Sequence, residues 1–340
     1  MTGLERTLSF INGNQTDRIP FHPIIMRWAA RYAGVKYRDF CTSPLAKCHA
    51  MIKCAGDFDM DWVTVLSDPW AEATAFGICV EYPEDNLPVD TGGHMTDATT
   101  ASMLRPFDPL QNFRCSNRIK EIAEFKRQVG NELFIVGWVE GPVAEYVDLR
   151  GATNASMDFL LEQEAVEKTM DTILVSAFEF ISLQVKAGAH CIGIGDAFCS
   201  QIGPDLYETY AFERQKSLVE HIHKLGAIAK LHICGDTTSI LPLMIKTGAD
   251  IVDIDHLVHS MSDFKSLPGP QQVFCGKADP VKIIQDGSPE LIKITVIDDL
   301  NQSNGRCIIS AGCEITPGTS NSNLKIFGKT ARKTDDFSLR

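Results

Sequence analysis

The sequence predicts an α/β fold, a (β/α)8 TIM barrel with an N-terminal helical extension. Three observations predict it. From about residue 60 onward, short apolar, β-branched runs alternate with longer helical patterns, which implies parallel strands joined by crossover helices. Polar and metal-ligating residues gather just after those runs, at what would be the strand C-terminal ends, the catalytic face of such a barrel. No GxGxxG turn follows the first run, which argues against an open doubly wound sheet.

The elements follow in order. DWVTVLSD reads as a strand ending at Asp68, ELFIVGWVEG as one ending near Glu140, and HCIGIGD as one ending at Asp196. AIAKLHICGD ends at Asp236, DIVDIDH near His256, QQVFCGKAD near Asp279 and CIISAGCE at Glu314. That makes seven strands, with the eighth expected between residues 70 and 130. Helical patterns lie between them, such as EAVEKTMDTILVSAFEFISLQVKAG and GPDLYETYAFERQKSLVEHIHKLG. The second has Pro204 in its first turn and Gly226 at its end, the usual asymmetry of helix termini. Residues 1–60 are expected to flank the barrel, 61–330 to form it, and 331–340 to be a polar tail.

The chain has 340 residues, 44% of them hydrophobic, enough for one large core. The formal net charge is −12 and no run of Lys or Arg stands out, so a nucleic-acid partner is not expected. No stretch approaches the roughly eighteen apolar residues of a membrane span. The opening MTGLERTLSFING carries an acid and lacks an apolar core, unlike a signal peptide. The eleven scattered cysteines then read as reduced thiols of a cytoplasmic protein.

One constellation carries chemistry. His232 and Cys234, in KLHICGDT, stand two residues apart at the end of an apolar run. On a strand they share a face. Cys313, in ISAGCEITPG, ends another such run. One His and two Cys converging at strand ends make a three-ligand site with an open position, the form of catalytic rather than structural zinc. The competing reading makes the cysteines small buried hydrophobes and the histidine a core residue. Asp236 and Asp279 read as helix caps. Glu140, before Gly141-Pro142, reads as functional, because Glu caps poorly.

Several segments taken together resemble the uroporphyrinogen decarboxylase superfamily. They are RIPFHPIIMRWAARYAG, SDPWAEATAFG, GWVEGPVAEY, GDAFCSQIGPDLYETY, the GAD of KTGADIVDIDH, the DP of GKADP and GCEITPGTSNSN. The resemblance implies the same barrel, with the site at its C-terminal mouth. Its decarboxylases use an Arg pair, an Asp, a Tyr, a Ser and a late His. Arg27, Arg31, Asp68 and Tyr146 match, but Cys313 stands at the late His and Ala197 at the Ser. Those departures, with the His-x-Cys, resemble the zinc-dependent methylcobamide:coenzyme M methyltransferases, in which a His-x-Cys and a later Cys hold zinc.

That branch implies zinc on His232, Cys234 and Cys313, and a corrinoid as methyl carrier. The chain has no DxHxxG motif of the usual cobalamin-binding kind, so a separate corrinoid protein is the expected partner, with a small-molecule methyl donor or acceptor. Glu140, Asp68 or His256 would supply a proton. Arg27, Arg31, Tyr146 and Asp196 would contact substrate or corrinoid. The alternative is a decarboxylase acting on a polycarboxylate.

Overall fold

The computed structural model describes residues 1–332. The apolar runs form strands because they are buried on both faces, as parallel strands between an interior and a helical layer must be. The strands in chain order are β1 (Trp62–Thr64), β2 (Cys79–Glu81), β3 (Val89–Gly92), β4 (Phe134–Glu140), β5 (Cys191–Gly195), β6 (Ile228–Ile233), β7 (Ile251–Ile254), β8 (Val273–Ala278) and β9 (Cys307–Ala311). Seven of them make one sheet in the order β1-β4-β5-β6-β7-β8-β9, every pair parallel.

Closure differs from expectation. The stretch from 70 to 130 supplies no eighth barrel strand. It holds β2 and β3, which pair antiparallel in a small separate sheet, with helices around them. The gap is bridged instead by residues 20–22. Phe21 pairs with Ile309 of β9. His22 N–H donates to the Ile309 carbonyl, and Ile309 N–H to that of Pro20, both at 3.0 Å. On the other side Asp61 N–H donates to the Phe21 carbonyl at 3.0 Å. One short segment thus satisfies backbone groups of both edges. Pro20 needs no amide partner here, which suits so short a strand. Its position in RIPFHP hid it, since prolines on both sides argue against a strand.

The crossover helices follow their sequence signals. The long helix spans Gln163–Ala187 and ends at Gly188 with φ 116°. The next helical stretch kinks at Gly203 (φ 76°), and the helix runs on from Pro204 through a π-helical turn to Lys224, ahead of Gly226. Asp279 caps the turn after β8, accepting from Val281 N–H and Lys282 N–H at 2.8 and 2.9 Å. The helix Asn321–Arg332 takes in the first two residues of the expected polar tail, and Ala331 is fully buried. Residues 333–340 of that tail lie outside the described residues. No described helix is long and apolar enough to cross a membrane.

Candidate metal centre

Register decides which side chains meet. Glu140 pairs with Gly195, Gly195 with His232, and His232 with Asp253. Paired residues on parallel neighbours point to the same side, so one layer of the barrel carries Glu140, His232 and Asp253. Lys230, two residues before His232, faces the same way one layer deeper.

The three predicted ligands converge. His232 Nε2 is 3.0 Å from Cys234 Sγ, and Cys234 Sγ is 3.5 Å from Cys313 Sγ. All three ligand atoms lie within 4.8 Å of one another, the only such group among the described residues. Two sulfurs and an imidazole at this spacing fit a thiophilic divalent metal. Gly312 lets the β9 loop come close, because a Cβ there would stand 2.3 Å from the His256 amide. The contact with Cys234 lowers the Cys313 thiol to about 5. The same contact, with burial, pushes the Cys234 thiol up. One proton is thus shared between two sulfurs that would both be thiolates around a metal.

Behind the ligands stands a buried ion pair. Asp253 Oδ2 is 3.0 Å from His232 Nδ1 and 2.6 Å from Lys230 Nζ. Burial opposes a charge on His232, but Asp253 outweighs it and lifts the imidazole to about 10. Neither Asp253 nor Lys230 was singled out from the sequence. The usable signal was alternation, since KLHIC puts Lys230, His232 and Cys234 on one face and DIVDIDH places an acid mid-strand.

Glu140 lies along the wall of the layer. Its Oε1 accepts from the indole N–H of Trp138 at 3.0 Å, and its own amide donates to Glu72 Oε1 at 2.9 Å. Gly195 makes room for that indole, as a Cβ there would come within 2.6 Å of it. Burial and the nearby Glu72 charge push the Glu140 carboxyl well up, favouring its protonated form. Glu72 is itself paired with Arg118 at 3.0 Å. Asp68 differs. Although burial works against it, Arg114 at 2.7 Å and Ser67 at 2.7 Å hold its carboxylate well below the usual range. Bound this way it is an acceptor and has no proton to give near neutral pH.

The other predicted residues are dispersed. His256 packs on Asp255, with Nε2 3.6 Å from Asp279. Asp255 also accepts from the Gly235 amide at 2.8 Å, bracing the loop that carries Cys234. Tyr146 is fully buried and donates to Asp158 at 2.8 Å, beside Arg150. Asp196 is buried and accepts from the Ala144 amide at 2.7 Å and from Gln215 at 2.8 Å. Both tie helices together. Arg27 and Arg31 line a cavity of about 480 Å³ with Lys36, Tyr37, Asp85 and Pro317. Arg27 also reaches toward the centre: its amide donates to Glu314, the residue after Cys313, at 2.9 Å.

The parallel barrel agrees with a family match. The uroporphyrinogen decarboxylase (URO-D) family model covers residues 2–334, and the chain belongs to that family. Among curated relatives it is 26% identical over 344 residues to a uroporphyrinogen decarboxylase of Prochlorococcus marinus, covering 96% of this chain and 95% of the relative. It is also 28% identical over 272 residues to the methylcobamide:CoM methyltransferase MtbA of Methanosarcina mazei, covering 77% of each. Among solved structures, a methyltransferase from Methanosarcina mazei superposes with a TM-score of 0.88 at 21% identity, over 98% of this chain and 99% of that one. The protein is an enzyme-family barrel whose fold is that of this methyltransferase.

Proposed function

We propose that the protein is a zinc- and corrinoid-dependent methyltransferase. It would move a methyl group between a corrinoid and a thiol or a methylated small molecule. The observation that carries this reading is the convergence of His232, Cys234 and Cys313 within 4.8 Å. Similarity to MtbA supports it.

Zinc on these residues would act as a Lewis acid, lowering the pKa of a thiol or polarising the heteroatom of a methylated donor. The chain's own groups do the rest. Glu140, whose burial favours the protonated form, is the candidate acid for a leaving heteroatom. Asp253 holds the His232 ring with Nε2 toward the thiols. Arg27 and Arg31 offer planar forks to an anionic group on substrate or corrinoid. In the thiol direction, the sulfur lone pair forms the new S–C bond and the Co–C bonding pair stays on cobalt. A separate corrinoid protein would present the methyl-corrinoid at the mouth. All eleven cysteines are free thiols, which suits a reducing, cytoplasmic setting.

A second reading, decarboxylation of a polycarboxylate, is favoured by the decarboxylase relatives and by Arg27 and Arg31. It requires no metal. Zinc content of the purified protein beside Cys313→Ala separates the two, followed by demethylation of methylcobalamin with a panel of thiols. About one zinc per chain, lost in the variant, supports the methyltransferase. No zinc in either sinks it.

A further inference from the structure

Lys230 and Asp253 form a charged pair in the barrel interior directly behind His232. Both are almost completely buried, at 1% and 0% exposure. Lys230 Nζ lies 5.8 Å from the ring centres of Trp62 and of Trp138. Asp253 uses the same oxygen, Oδ2, toward Lys230 at 2.6 Å and toward His232 Nδ1 at 3.0 Å. A third interior group, His22, stacks on Trp62 at 4.4 Å. Burial, then the Lys230 charge, keeps His22 well below its ordinary value and hence neutral. Lys230 and Asp253 are thus a fixed cation and a fixed anion behind His232, joined through a single oxygen.

A metal on two thiolates and a neutral imidazole carries no net charge. A carboxylate at the far ring nitrogen of a ligating histidine fixes the ring and strengthens it as a donor. A cation on that same carboxylate does the reverse by drawing its electron density away. We infer that Asp253 and Lys230 are opposed positioning residues for the metal centre. Asp253 raises the donor strength of His232, and Lys230 holds it back, leaving the metal more acidic toward an entering thiol. The inference rests on the zinc reading of His232, Cys234 and Cys313. The two indoles serve this arrangement, because they seat the ammonium by cation–π attraction where no second carboxylate competes for it.

The prediction is one of opposite sign. Zn2+ alone is titrated into apo-protein against a chromophoric chelator, with circular dichroism confirming the fold of each variant. Asp253→Asn weakens zinc binding about 10- to 100-fold. Lys230→Met, which keeps an apolar chain between the indoles, tightens it, by about 3- to 10-fold for an interaction of roughly one pK unit or less. In Co2+-substituted protein at fixed pH, Lys230→Met binds 2-mercaptoethanol more weakly, read from the thiolate-to-metal absorption band. Lys230→Arg stays near wild type in both. Lys230→Met leaves Asp253 buried and unpaired, so it could fail to fold. Lys230→Gln, which keeps an uncharged donor within reach of the carboxylate, is then used instead, and loss of the positive charge must again tighten zinc. A purely structural ion pair would move both single variants the same way, toward weaker zinc, and that result overturns the inference while leaving the metal site standing. Wild-type protein that takes up no zinc overturns the proposed function and this inference together.

Discussion

Trp138 donates its indole N–H to Glu140, two residues further along the same strand, while its ring centre lies 6.3 Å from that of His232. One aromatic side chain thereby joins the carboxyl at the β4 end to the candidate ligand His232 two strands away. Trp138→Phe keeps most of the packing and removes the donor. The expected result is a lower rate, by about tenfold as for a lost neutral hydrogen bond, with zinc content unchanged. A variant with normal rate would show that Glu140 needs no such support.

Cys234→Ala and Cys313→Ala should each abolish stoichiometric zinc and leave the protein folded. His232 sits in β6, and Cys234 and Cys313 follow the ends of β6 and β9, strands that are packed in the barrel without a metal. Metal analysis with far-ultraviolet circular dichroism checks this. Loss of the spectrum on chelation would make the metal a structural one.

Glu140→Gln should slow the proposed protonation by about 100- to 10,000-fold. It should also change the pH dependence of stability. The folded carboxyl is raised above its unfolded value. As pH rises past that unfolded value the unfolded chain gives up a proton that the native one keeps, so stability falls with rising pH. The glutamine variant should show a flatter fall above the ordinary glutamate range. Equal slopes in thermal melts across pH 5 to about 9 would show that Glu140 is ionised in the fold.

Asp68→Ala should destabilise by about 3–5 kcal/mol, because it strands the guanidinium of Arg114 in the interior. Arg114 is 3% exposed. Urea denaturation reads the loss. A shift under about 1 kcal/mol would mean that Asp68 is solvated and free for chemistry.

Arg27→Ala and Arg31→Ala should raise KM for an anionic thiol by about tenfold each, the worth of one charge-assisted contact, with kcat little changed. An uncharged thiol should show no such rise. Equal effects on both thiols would remove the cavity lined by Arg27 and Arg31 from substrate binding.

The strands were legible because two-sided burial makes each a dense apolar run, and the three ligands because two of them share a strand face. The helix from Pro204 and the Asp279 cap were legible from local chemistry. What escaped depends on the third dimension. Asp253 looks like any polar residue in DIVDIDH until register sets it beside His232. Asp68 looks catalytic until Arg114, far along the chain, neutralises it. Tyr146 and Asp196 match a family pattern, yet their partners in this structure are Asp158, Ala144 and Gln215. The segment that completes the barrel carries proline on both sides and had no strand-like pattern to find.

Phe21 joins Ile309 on one side and Asp61 on the other, so an early-made segment of the chain closes against a late-made one. During synthesis, the amino-terminal piece leaves the ribosome long before its β9 partner exists. Until then the sheet has two open edges, and contacts of such long sequence separation form slowly. The growing chain must remain soluble in that unzipped state, which makes it a natural client for chaperones and exposes it to strand-edge aggregation when translation stalls short of β9.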